Sequence, residues 1–189
     1  RQTLAQSGRY RLIDTSGADD APLRAHALRS CNGCEAAIAA RLGAEVVGSD
    51  AYEAHRIDCS VPRGGLDFMY GDAFPHETNM DRLHGVDIGK GCYVGQEVVS
   101  RMHHRGTTRT RSAQVLLDGP SPEPGTPITA GDKSVGTMGS AAQHKGMALL
   151  RIDRAAEAIE AGTPLTAGGL VLRIADPEAL QGPPKQTVA

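Results

Sequence analysis

GTPITAG, residues 125–131, returns as GTPLTAG at residues 162–168. In each phrase glycines bracket a short apolar–polar alternation, and a proline marks where the strand begins. Two copies are too few for a solenoid, but matched turn–strand–turn pieces suit a small β-barrel. Working outward, TTRTRSAQVLLDG (residues 107–119) alternates like a strand and ends in the turn signal Asp118-Gly119-Pro120. Short β-like runs follow at 134–138 and 147–152. A helix reads over DRAAEAIEAG, with Asp153 as N-cap and Gly162 beyond its end. The chain therefore divides near residue 108, into an α+β part at 1–108 and a β-rich part at 109–189.

In the first part, residues 9–14 are β-like and DTSGADDAP (14–22) is a turn cluster. CEAAIAARL (34–42) reads as a helix stopped by Gly43. A second helix runs from Asp50, its N-cap, to Asp58, and Pro62 with Gly64-Gly65 closes that segment. DAFPHETNMDRLHGVDIGKG (72–91) is a polar loop with short helical pieces, and the last nine residues, QGPPKQTVA, read as a frayed tail.

Composition narrows the function. The 189 residues are 40% hydrophobic and 22% charged, which is ordinary for a globular protein. A formal net charge of −2, two Phe, four Tyr and no Trp give neither the field nor the stacking platforms of a nucleic-acid binder. No apolar run has the length of a membrane span, and the opening RQTLAQSGRYRLID has no signal-peptide pattern. Four cysteines in a chain this long are not a disulfide framework, so a reducing cytoplasmic compartment is expected. The chain opens without Met, close to a β-like run, and reads as the tail of a longer protein.

The chemistry concentrates in KGCYVGQEVVSRMHHRG, residues 90–106. Gly91 and Gly95 allow close approach or unusual backbone, and QEVVSRM opens a helix at Gln96. Cys92 precedes that helix by a few residues, where the free N–H groups, the dipole and nearby Lys90 favour a thiolate. Two readings stand side by side: a reactive thiol, or a small buried hydrophobe. Glu97 is either a dipole-complementing carboxylate or an acceptor for a ligand's N–H groups. The cations Arg101, His103, His104, Arg105, Arg109 and Arg111 form a strip that grips an acidic molecule or simply faces water.

Other motifs are weak. Cys31 and Cys34 make a Cys-x-x-Cys without a βαβ setting or a second pair, and the histidines lack metal-ligand spacing, so no metal is expected. Neither a phosphate-binding loop nor a dinucleotide fingerprint is present.

KGCYVGQE, Lys90–Glu97, resembles the signature of the YgfZ family of folate-binding proteins, relatives of the glycine cleavage T-protein (aminomethyltransferase). AYEAHRIDCSVPRGG from Ala51 and FPHETNMDRLHGVDIG from Phe74 follow that family's order, and the β-rich part resembles its small C-terminal barrel. The likeness covers the chain from about Ala51 onward and the first fifty residues poorly. It implies an α+β fold: part of an aminomethyltransferase-like folate-binding core at 1–108, then a C-terminal β-barrel domain at 109–189. It implies tetrahydrofolate or a one-carbon derivative as cofactor, and iron–sulfur client or scaffold proteins as partners. It also implies a further N-terminal segment of the same protein.

Carried over by position, Cys92 is the catalytic residue, in a setting of Lys90, Gly91, Tyr93, Gly95, Gln96 and Glu97. Asn79, Glu97, Arg101 and Arg105 are the folate contacts. The function implied is an accessory role in iron–sulfur cluster assembly or repair. A folate-dependent aminomethyltransferase is the alternative, and whether a reaction is catalysed stays open.

Overall fold

The computed structural model describes residues 2–7, 10–13, 44–87, 90–105 and 108–180. The turn expected at 14–22, the helix at 34–42, the Cys31/Cys34 pair and the tail at 181–189 lie outside the described residues. The chain forms two compact units, Arg1–His55 and Arg56–Ala189. The division expected near residue 108 falls inside the second unit, just before its first barrel strand.

In the first unit, β1 (Gln2–Ser7), β2 (Tyr10–Ile13) and β3 (Ala44–Val47) form a sheet in the order β2-β1-β3. β1 and β2 are antiparallel with Leu4 opposite Ile13, and β3 runs parallel to β1 with Gln2 opposite Ala44. Sequence reading found β2 and missed β1 and β3. Helix α1 (Ser49–Asp58) begins one residue before the expected start, so Asp50 is not the N-cap but an acid in the first turn, where the dipole favours it.

The second unit carries helix α2 (Gln96–Arg105) and a closed barrel. Its strands are β4 (Thr110–Leu117), β5 (Pro127–Ala130), β6 (Lys133–Ala142), β7 (Lys145–Arg151), β8 (Leu165–Ala167) and β9 (Leu170–Ile174). They close in the order β4-β7-β6-β5-β8-β9. The echoed phrases are β5 and β8, and they pair with each other: Ile128 faces Ala167, Thr129 faces Thr166 and Ala130 faces Leu165. Their glycines match too. Gly125 and Gly162 have φ of 88° and 64°, and Gly131 and Gly168 have 57° and 56°. Each turn therefore needs a residue that tolerates the left-handed region.

Inward side chains fill the barrel: Ala113, Val115 and Leu117 of β4, Ile128, Val135, Met138, Leu150 and Leu172 are all buried. Helix α3 (Ile152–Glu160) adds Ala155 and Ala158, three residues apart on one face. Its extended N-cap residue is Arg151 and not the expected Asp153, because the helix starts directly from β7. Gly162 follows it with positive φ, as the sequence suggested.

Two glycines in β6 are there for space. A Cβ on Gly136 would overlap the carbonyl oxygen of Leu149 on the paired strand. Since overpacking a fitted interior costs about 1–3 kcal/mol, Gly136→Ala is expected to lower the urea midpoint accordingly. A Cβ on Gly139 would overlap Asp67, whose seat is the second device of this unit. Asp67 accepts from Arg56 Nη1 at 2.9 Å, from the backbone N–H of Arg63 and of Ser140 at 2.6 Å each, and from Ser140 Oγ at 2.7 Å. Arg56 also donates to Val61 O and Ser140 Oγ. This buried network fastens residues 56–67 to β6.

Candidate functional site

The motif forms a turn that feeds a helix. The N–H of Gln96 donates to the carbonyl of Tyr93 at 3.2 Å, and Gly95 sits at the third turn position with φ 85°. That is a type II pattern, which needs glycine at this position. The N–H of Val99 then donates to Gly95 O at 3.2 Å, starting the helical ladder. Val94, at the tip, is fully exposed, and Cys92 just before the turn is exposed and outside any disulfide. The buried-hydrophobe reading of Cys92 is therefore excluded. Gly91 has open space where a Cβ would stand.

Lys90 and Tyr93 brace the loop. The Lys90 ammonium lies 5.0 Å from the centre of the Tyr93 ring, a cation–π contact. The Tyr93 hydroxyl is buried and has no hydrogen-bond partner among the described residues. Glu97 lies in the first turn of α2 and pairs with Arg101 one turn on; both side chains are mostly exposed.

Of the expected folate contacts, Asn79 does not share its cavity with the paired Glu97 and Arg101. Asn79 is 5% exposed and belongs to a buried frame on β4. Its Nδ2 donates to Ser112 O at 2.9 Å and to Ser60 O at 3.4 Å, and its Oδ1 accepts from Arg111 Nη1 at 3.4 Å. Its φ of 62° is left-handed, which asparagine tolerates best after glycine. The cavity beside it has about 190 Å3 and is lined by neither Glu97 nor Arg101. Pockets for drug-sized ligands start near roughly 300 Å3, so these residues do not by themselves enclose a folate. The side chain of Arg105 lies outside the described residues.

Nor does the basic strip act as one surface. Arg101 is paired with Glu97, while Arg111 is fully buried and meets Asp81 in a two-pronged contact at 3.2 and 3.0 Å. His103 turns inward toward His76, with ring centres 6.0 Å apart. His76 is 1% exposed, and neither ring nitrogen has a partner among the described residues. Its burial lowers the imidazole's pKa from the ordinary 6.5; Asp81 opposes this, and Arg111 and His103 add to it. The unfolded state then takes up a proton near pH 6.5 before the native state does. Stability is thus expected to be full above that pH and to fall as pH drops toward the lowered native value. Urea midpoints across this range check it, and His76→Gln should remove this component of the slope.

Among the described residues no group of three or more His, Cys, Asp or Glu side chains is arranged to hold a metal ion. No helix among them is long and apolar enough to cross a membrane. Sequence reasoning missed the Arg56–Asp67–Ser140 network and the cavity lined by Cys59, because each joins residues far apart in the chain. No local signal marks them.

Comparison with known proteins agrees with the barrel. Residues 109–181 match the family model of the CAF17 C-terminal beta-barrel domain, and residues 1–52 match a family described as a protein of unknown function. The chain is 38% identical over 106 residues to the mitochondrial iron-sulfur cluster assembly factor IBA57 of Mus musculus, covering 53% of this chain and 30% of that protein. Over 104 residues it is 38% identical to the human factor of that name, covering 52% and 29%. The Mycosarcoma maydis homologue is 52% identical over 60 residues, covering 32% and 15%. The aligned part of this chain thus spans less than a third of each relative. The crystal structure of glycine cleavage system aminomethyltransferase T from Bartonella henselae superposes with a TM-score of 0.54 at 17% identity, over 79% of this chain and 45% of that one. The fold is mixed α/β and aminomethyltransferase-like, with a C-terminal six-stranded barrel.

Proposed function

We propose that the chain belongs to a tetrahydrofolate-binding accessory protein of iron–sulfur cluster assembly or repair, of the YgfZ type, with Cys92 as its working thiol. The exposure of Cys92 before a turn that Gly95 shapes carries this reading. The similarity to proteins named for cluster assembly supports it. The proposed partners are iron–sulfur client or scaffold proteins.

The mechanism follows from the site. A single thiolate cannot hold a four-thiolate cluster alone, so Cys92 acts as a transient ligand whose companions come from the partner. Val94, two residues after Cys92, and Val98, in the first turn of α2, are exposed, and Glu97 and Arg101 neutralise each other on the helix. On this reading a partner surface would meet apolar side chains and a neutralised ion pair near the thiol, with the Lys90 ammonium resting on the Tyr93 ring. Rescue of cluster-dependent enzyme activity in cells lacking such a factor tests this reading; failure of a stably expressed protein to rescue counts against it.

Tetrahydrofolate rests on the family likeness. Asn79, Glu97, Arg101 and Arg105 form at most separate parts of a pocket wall, which an N-terminal segment of the same protein would complete. Calorimetric titration with tetrahydrofolate, on this chain and on a version extended by such a segment, is expected to show binding in the extended protein. Heat in neither would remove the folate assignment.

The aminomethyltransferase-like fold favours one second reading, a folate-dependent aminomethyltransferase; turnover of an amine donor with tetrahydrofolate would establish it. The compartment we propose is a reducing one, the cytoplasm, although the relatives above are named as mitochondrial.

A further inference from the structure

We propose that the facing imidazoles of His76 and His103 form an acid-released latch, which seats helix α2 and the turn after Cys92 near neutral pH and frees them as the pH falls. His76 belongs to the barrel side of this contact. The carbonyl of Glu77 accepts from the N–H of Ser112 at 2.8 Å, and Asn79 Nδ2 donates to Ser112 O at 2.9 Å. β4 therefore holds the chain just after His76. The N–H of Met80 donates to Pro75 O at 2.9 Å, which closes a turn across the same residue.

His103 belongs to the helix side, where little else is buried. Gln96, Val99, Ser100 and His103 recur on one helical face and are buried or half-buried, whereas Glu97, Val98, Arg101 and His104 are exposed. Among the described residues Val99 is the only buried apolar side chain of α2, with Met102 half-buried. A helix attached by so little apolar area opens locally at a lower cost than the barrel unfolds. The N–H of Val99 donates to Gly95 O, so the turn after Cys92 is continuous with the helix and is freed with it.

The contact itself is sensitive to charge. The two ring centres are 6.0 Å apart, and both nitrogens of His76 and Nδ1 of His103 are buried without a hydrogen-bond partner among the described residues. A neutral imidazole tolerates this seat, but a charged one is penalised by its loss of water. Of the charged groups that act on His76, Asp81 favours its protonation, while Arg111 and His103 oppose it. Asp81 is already engaged by the guanidinium of Arg111. The carboxylate of Glu77, the next residue, is taken by the Phe74 N–H and the Thr110 hydroxyl. His104 stands edge-on to His103, with ring centres 5.4 Å apart. Lifting α2 lets water reach His76 and returns it to the ordinary value of 6.5. The open state then takes up a proton where the seated state does not, so opening is favoured as the pH falls below that value. The latch does not depend on the role of Cys92.

Amide hydrogen exchange of the whole protein, read by mass spectrometry from pH 7.5 to 5.5 with EDTA present and corrected for the intrinsic exchange rate, tests this. The amides of α2 are expected to be less protected than those of β4 at pH 7.5. They should lose about tenfold in protection by pH 5.5, the factor for one imidazole of ordinary pKa that titrates only in the open state. A low urea concentration that speeds exchange in β4 should leave α2 unchanged, which marks a local opening. His76→Gln should flatten the pH profile of α2. Because His76 is 1% exposed, a second variant at the half-buried His103 guards against loss of the fold. His103→Ala should lower the protection of α2 already at pH 7.5 and shrink its pH response, since His76 is then uncovered. Equal protection of α2 and β4 would mean that the helix leaves only on global unfolding, and would overturn the proposal. A flat profile in the unsubstituted protein, or a profile that His103→Ala leaves unmoved, would overturn it too.

Discussion

Asp67→Ala is expected to destabilise the protein by about 3–5 kcal/mol, the usual result of removing one partner from a buried ion pair. The side chains of Arg56 and Asp67 are 4% and 2% exposed, so water cannot replace what is lost. Arg56 would lose the carboxylate it meets at 2.9 Å, and the N–H groups of Arg63 and Ser140 would lose their acceptor. The urea midpoint should fall with little change in slope. Asp67→Asn should cost less, since it keeps an acceptor oxygen at the Ser140 end. Arg56→Met combined with Asp67→Leu should recover part of the loss, because neither charge then stays buried alone. If Asp67→Ala moved the midpoint no more than a surface change does, the network would not be what fastens residues 56–67 to the barrel.

The second large effect is functional. On the proposed role, Cys92→Ser is expected to abolish rescue of cluster-dependent enzymes in cells while changing stability by no more than about 0.5 kcal/mol, as for most exposed positions. Serine keeps the size of the side chain and its place before the Tyr93–Gln96 turn. What it loses is a soft thiolate, the ligand that iron–sulfur clusters require. Lys133→Gln, an exposed change on the barrel, serves as the control and should leave cell function intact. Loss in the first variant only would place the function in the thiol. Equal activity in both would remove Cys92 from the mechanism.

The elements legible in the sequence were those with their own punctuation. The two Gly-Thr-Pro phrases announced β5 and β8, and the matching positive φ at their glycines shows why the phrase repeats. Gly95 followed by Gln96-Glu97 announced α2 for the same reason. β3, a run of four residues, carried too little pattern to stand out. The Arg109–Arg111 stretch misled because alternation along a strand would put both on one face. In the folded chain Arg109 is exposed and Arg111 is fully buried against Asp81. Asp81 is thirty residues earlier, and no local rule could have paired them. Of the candidate site, local chemistry raised Cys92 only as one of two readings and the family likeness gave it a role, whereas the cavity lined by Cys59 exists only after β4 meets residues 59–83.

The central claim is that Cys92 is a ligand to a passing cluster. The most direct measurement is the anaerobic alkylation rate of Cys92 with and without a cluster-loaded scaffold protein, with Cys59 read in the same sample as the reference thiol. The account predicts that the loaded scaffold slows alkylation of Cys92 and leaves Cys59 unaffected, and that the scaffold without its cluster protects neither. Unchanged labelling of Cys92 in the presence of the loaded scaffold would contradict it.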